Sequence, residues 1–98
     1  MSTGFGFGIA YPHAKITGID DFFITIGISH DGIDWKSFDA QPARLIFMIG
    51  GPEGQQELYL KLLAALSTFL KNSGLHSQVE HFCSNPDALY EFVTKNLT

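Results

Sequence analysis

An α/β domain with a small mixed sheet is predicted by three features of this sequence. Apolar and β-branched segments dominate its first half, and apolar residues at helical spacing dominate its second. No internal repeat, low-complexity run or linker divides the 98 residues, so a single domain over residues 1–98 is expected.

The elements follow in chain order. Gly4-Phe5-Gly6-Phe7-Gly8 is too glycine-rich to define a strand, but the chain turns apolar from Phe7 to Tyr11, and a short strand ending at Pro12-His13 is expected. Phe22 to Ile28 is the clearest strand, with Phe22, Ile24, Ile26 and Ile28 on one face and Phe23, Thr25 and Gly27 on the other. Ser29-His30-Asp31-Gly32 has turn chemistry, and a long loop through Trp35, Phe38 and Gln41-Pro42 should follow. Arg44 to Gly50 is almost uniformly apolar, as in a central strand covered by helices on both faces.

Leu58, Leu62, Ala65, Leu66 and Phe69 then recur at helical spacing, with Leu60, Leu63 and Leu70 widening the stripe. Asn72-Ser73-Gly74 supplies the stop. Leu75, Val79, Phe82 and Cys83 fit a short second helix. Ser84, with Asp87 three residues later, reads as the N-cap of a last helix burying Leu89, Phe92 and Val93.

Composition excludes several classes of function. Six Lys+Arg against ten Asp+Glu give a net charge of −4 and a pI near 5.3, which argues against a nucleic-acid backbone or an anionic membrane surface as partner. No apolar run approaches the roughly 18 residues of a spanning helix. The N-terminus has neither a basic head nor a continuous apolar stretch, so no signal peptide is expected. The single Cys83 suits a reducing cytosol, and its apolar surroundings favour an inert buried thiol.

Among the four histidines, His13 has the most unusual setting, at the end of an apolar segment and directly after a proline that fixes the backbone. A side chain there is presented at the sheet rim, where sites of α/β folds commonly lie. With a free pKa of about 6.5, imidazole keeps an unprotonated nitrogen for nucleophilic attack at neutral pH. The competing reading is an ordinary surface histidine.

The other candidates read as structure. Gly-Phe-Gly-Phe-Gly lacks the flanking strand and helix of a dinucleotide fingerprint, and His30, Asp31 and Asp34 match no metal-binding spacing. His76 and His81 are five residues apart, off the spacing that would place them on one helix face, and Asp20-Asp21 reads as a loop charge pair.

The segment Ser2-Thr3-Gly4-Phe5-Gly6-Phe7-Gly8-Ile9-Ala10-Tyr11-Pro12-His13-Ala14-Lys15 resembles the active-site segment of IIA components of the bacterial sugar phosphotransferase system, in the fructose/mannitol/nitrogen-regulatory class. That family reads Ser-Thr-Gly-(x)-Gly-x-Gly-Ile-Ala-(x)-Pro-His-(Gly/Ala)-(Lys/Arg). The similarity continues through Gly32-Ile33-Asp34-Trp35, Gln41 to Phe47, Pro52, the Leu-rich helix and the Ser84-to-Leu89 helix start.

The resemblance implies a three-layer α/β/α fold and a cytoplasmic phosphotransferase component with a phosphohistidine intermediate. His13 would accept phosphate from the carrier HPr and pass it to a IIB domain, with Pro12, Lys15 and Tyr59 as neighbours of the phosphoryl site. No metal or organic cofactor is required. The alternative implied by the same family is a non-catalytic or weakly phosphorylated regulatory interaction module of the nitrogen-regulatory type, acting on a partner protein.

Two departures from the family pattern carry consequences. Many members have a second histidine at the start of the Leu-rich helix, where this chain has Tyr59-Leu60. A tyrosine hydroxyl donates a hydrogen bond but, unlike imidazole, cannot become cationic. A partly buried aromatic role beside Leu62, Leu63 and Leu66 is equally consistent with Tyr59. The N-terminal strand, helices and arginine-bearing segment that precede the Ser-Thr-Gly run in the family have no counterpart in this chain. A sheet edge left exposed by their loss would favour homo-oligomerisation or a partner segment.

Overall fold

The computed structural model describes residues 4–97, so Ser2 and Thr3 of the family-like segment lie outside the described residues. Five strands precede three helices, as the order of patterns predicts: β1 Gly4–Gly6, β2 Ile9–Ala10, β3 His13–Ile16, β4 Phe23–Ile33, β5 Ala43–Pro52, α1 Gln56–Asn72, α2 Val79–Cys83 and α3 Pro86–Leu97. A single 3-10 turn, Leu75–Ser77, links α1 to α2.

The most apolar segment, β5, organises the sheet. On one side it pairs in parallel with β2 and then β3, in the register Ile9↔Leu45 and His13↔Ile49. On the other side β4 runs antiparallel to it, with Ile26↔Phe47 and Ile28↔Leu45. β1 folds back antiparallel on β2, completing a mixed five-stranded sheet. The reversal between β1 and β2 uses Gly8 at φ 83°, and the Gly8 carbonyl accepts from the Arg44 and Leu45 N–H groups at 2.7 and 3.0 Å.

Alternation along β5 separates its two faces. Leu45, Phe47 and Ile49 are completely buried beneath the helices, in one cluster with Ile9, Leu66, Leu70, Leu75, Phe82, Leu89 and Val93. Burying each such side chain contributes roughly 1.5–3 kcal/mol, so this layer carries most of the stability. Arg44, Ile46 and Met48, on the opposite face, are half-buried. The predicted helical cover over both faces of β5 is therefore met on one: a uniformly apolar sequence shows that both faces avoid water, not that both carry helices.

Four further differences have local causes. The strand expected to end at Pro12-His13 is only Ile9–Ala10, because Phe7 and Gly8 form the preceding turn and Pro12, without an N–H, interrupts the edge. The Gly-Phe-Gly segment is β1, held by pairing rather than by propensity. Ser29 to Gly32 does not end its strand but makes a bulge, since Ile28↔Leu45 is followed by Ile33↔Ala43; the Ser29 hydroxyl accepts from the Gly32 N–H at 3.2 Å. Finally, α3 begins at Pro86, a favoured first helical residue, while Ser84 is the C-cap of α2.

In α1 the buried residues are Tyr59, Leu66, Phe69 and Leu70, whereas Leu58, Leu60 and Ala65 are exposed. The leucine stripe is wider than the contact, and the face that meets the sheet is the one carrying Tyr59. No helix among the described residues is long and apolar enough to cross a membrane.

Candidate functional site

His13 is the first residue of β3, not the last of the preceding strand, and its imidazole is exposed. Two constraints fix its backbone. Pro12 limits φ on its N-terminal side, and the Pro12 carbonyl accepts the Ile49 N–H at 3.0 Å, tying the residue before His13 to the central strand. Lys15, two residues along β3, is also exposed and lies on the same face as His13.

The second part of the site comes from the β5–α1 connection. β5 ends at Pro52, Gly54 turns the chain at φ 83°, and α1 starts at Gln56. Tyr59, in the first turn of α1, thereby comes to lie over the end of the sheet, with its ring against that of His13 at a centroid distance of 5.4 Å and an interplanar angle of 73°. Tyr59 is only 7% exposed, and its hydroxyl is buried with no hydrogen-bond partner among the described residues. Burial pushes the phenol above its ordinary value of 10, so it stays protonated, and a donor, at neutral pH.

A small cavity adjoins Tyr59, lined in part by Lys15, Phe22, Gly51 and Gln55. The Phe22 ring lies directly over Gly51, where a β-carbon would collide with it, so glycine is what allows this wall to close. The N-terminus of α1 also faces this region through Gln55 and Gln56, and the Gln55 side chain makes no capping bond to its first N–H groups. The arrangement is an exposed nucleophile candidate beside a buried neutral donor, with a lysine on the same strand face. Chemically it suits transient attachment of an anionic group to imidazole.

The remaining candidates lie apart from this site. His76 packs on Phe7 at 5.1 Å and His81 on Phe82 at 5.2 Å. His30 and Asp31 occupy the β4 bulge, and Asp34 pairs with Lys36 at 3.6 Å in the loop that follows. Cys83 is buried, its thiol pushed up by desolvation, and it donates weakly to the Arg44 carbonyl at 3.8 Å.

One residue that sequence reasoning passed over is Asp39. Its carboxylate accepts the N–H groups of Phe7 at 2.7 Å and Gln41 at 3.1 Å, and those bonds hold its pKa below 3.8. Asp39 clamps the loop before β5 to the turn before β2, a contact across 32 residues that no local pattern reveals.

Comparison with known proteins bears on this geometry. Residues 1–96 match the family described as phosphoenolpyruvate-dependent sugar phosphotransferase system, EIIA 2. A fructose-specific EIIABC component of Bacillus subtilis is 39% identical over 95 residues, covering 97% of this chain and 15% of that protein. A fructose-specific EIIA component of Haloferax volcanii is 37% identical over 78 residues, covering 80% of this chain and 51% of that one.

Among solved structures, the nitrogen regulatory protein IIA-Ntr from Neisseria meningitidis superposes with a TM-score of 0.70 at 24% identity, over 81% of this chain and 54% of that one, a likeness of fold. The chain thus spans about half the length of the Haloferax and Neisseria relatives. Because the family match covers nearly every residue, including the Pro12-His13 segment and the start of α1, the chain belongs to the EIIA 2 family of the phosphoenolpyruvate-dependent sugar phosphotransferase system.

Proposed function

We propose that this chain is a phosphoryl carrier in which His13 is the acceptor. An unprotonated ring nitrogen of His13 attacks the phosphorus of a phosphohistidine on HPr. One N–P bond forms as the donor's N–P bond breaks, and the donor imidazole leaves with its electron pair. A second displacement passes the group on: a nucleophile of a IIB domain bonds to phosphorus as the His13 N–P bond breaks and the His13 imidazole leaves with its electron pair. Such transfer asks the protein mainly for in-line positioning and for donors around the equatorial oxygens.

The observation that carries this reading is the exposed His13 ring set against a buried Tyr59 whose hydroxyl has no partner among the described residues. A phosphoryl oxygen on His13 supplies the acceptor that Tyr59 lacks, and Lys15 adds positive charge on the same face of β3. Pro12 holds the nucleophile in place through its bond to β5.

A second reading, regulation of a partner protein by a domain that accepts phosphate but donates it poorly, is favoured by Tyr59 itself. A phenol offers a neutral hydrogen bond where an imidazolium would offer a charge-assisted one, roughly twice as strong. Relatives named nitrogen regulatory protein, from Bradyrhizobium diazoefficiens and Pseudomonas aeruginosa, are 32% and 29% identical to this chain.

Intact-mass spectrometry at neutral to alkaline pH, after incubation with phosphoenolpyruvate, enzyme I and HPr, tests acceptance. One phosphoryl adduct is expected on the wild type and none on His13→Ala; a folded wild type that takes no adduct overturns both readings. Adding a IIB domain then separates them, since a carrier loses its adduct to IIB and a regulator retains it.

A further inference from the structure

Strand β4 ends the sheet: among the described residues it pairs with β5 and with no other strand. From Phe23 to Ile28 it is regular over about 20 Å, and its outer edge presents backbone N–H and C=O groups that only an extended chain can satisfy as a ladder. This stretch contains no charged residue and no proline, the usual means of blunting an edge. Beside it, Ile26 and Ile28 line an apolar groove with Pro86, Leu89 and Tyr90 of α3, and Ile24 and Tyr90 are 37% and 67% exposed.

We propose that a second copy of this chain occupies this edge, with β4 pairing antiparallel to β4 about a two-fold axis at Ile26. The sequence of the strand selects itself as partner. An axis at Ile26 sets Ile26 against Ile26, Ile24 against Ile28 and Thr25 against Gly27 of the second copy, so every rung on the helix-bearing face is isoleucine against isoleucine. The axis stands perpendicular to the sheet, so both copies keep their helices on the same side and each Tyr90 closes over the joined isoleucine row. Pairing stops at the bulge, where His30 and Asp31 leave the regular ladder. The interface is independent of the His13 site and of the reading given to it.

Sedimentation of the 98-residue chain from micromolar to hundreds of micromolar concentration, with oxidative cross-linking of Ile26→Cys, tests the pairing. The expected result is a concentration-dependent dimer. Ile26→Cys should form a covalent dimer about tenfold or more faster than Leu60→Cys on the exposed side of α1, because cysteines held on the axis react without a diffusional search. Ile24→Lys should sediment as a monomer with an unchanged circular dichroism spectrum. A wild type that stays monomeric throughout, as it would if the edge served a foreign strand, overturns the proposal. So does a dimer in which Ile26→Cys cross-links no faster than Leu60→Cys; this comparison stands even if Ile24→Lys fails to fold.

Discussion

Among the described residues the hydroxyl of Tyr59 is a buried donor without an acceptor, and a group of that kind costs roughly 1–3 kcal/mol in the resting fold. Tyr59→Phe removes that cost and little else. It is expected to raise unfolding free energy by about 1 kcal/mol in urea titration, while lowering the yield of phosphorylated His13 because the phosphoryl oxygen loses its donor. A variant that loses both stability and phosphorylation would instead place a partner on the hydroxyl within the fold. Tyr59→His probes the same position by charge. The phenol is held neutral, its pKa raised above 10 by burial, whereas imidazole titrates near pH 6.5. The ratio of transfer rates, Tyr59→His over wild type, should therefore climb as pH falls from 8 towards 6 in stopped assays with phosphorylated HPr. Asp39 yields an acid-side prediction. Its folded pKa lies below 3.8, so its contribution is complete above that value and is lost as pH falls through the folded pKa. Asp39→Ala should lower Tm at neutral pH, and the gap to wild type should close in strongly acidic buffer.

At the scale of elements, the bulge in β4 gives the sharpest backbone prediction. Gly32 sits at φ 83°, and a β-carbon there would meet the Pro42 ring, so Gly32→Ala should cost at least about 1–2 kcal/mol of unfolding free energy. The same residue shows where sequence reasoning stopped short. Ser29 to Gly32 has unmistakable turn chemistry, but whether that chemistry ends a strand or bulges it is decided by Ala43 on the neighbouring strand, a partner no local window contains. β3 escaped notice for a related reason: four residues after a proline form a strand only because β5 offers them a parallel edge. The long elements were legible, since β4 alternates from Phe22 to Ile28, β5 is a nearly continuous apolar run and α1 repeats its leucines at helical spacing. The exposed placement of His13 beside the sheet was legible through its rigid Pro12 neighbour. The contact with Tyr59 followed only from the family pattern, and the wall made by Phe22 over Gly51 was hidden in the register of three strands.

Across the whole molecule, one helix-covered face carries the core, while the opposite face and the β4 edge are less protected. For a chain of 98 residues this matters energetically, because net stability is typically only about 5–15 kcal/mol and each kcal/mol moves Tm by about 4–8 °C. An edge that pairs with a second copy ties stability to concentration by mass action: a partner present at about 100 times its Kd adds about 2.7 kcal/mol. Calorimetric Tm of the wild type should therefore rise by several degrees as protein concentration increases over two decades through the dimerisation range. Ile24→Lys should show a flat profile, because a lysine among the isoleucine rungs leaves a desolvated charge at the interface. The reverse pattern, a flat wild type beside a concentration-dependent variant, would assign the association to another surface. The proposed phosphoryl site enters the same balance separately, since His13 and Tyr59 join β3 to α1 at the far side of β5 from β4. Phosphorylation of His13 is thus expected to leave the concentration dependence of Tm unchanged while shifting its absolute value, which calorimetry of the two forms at matched concentrations will show.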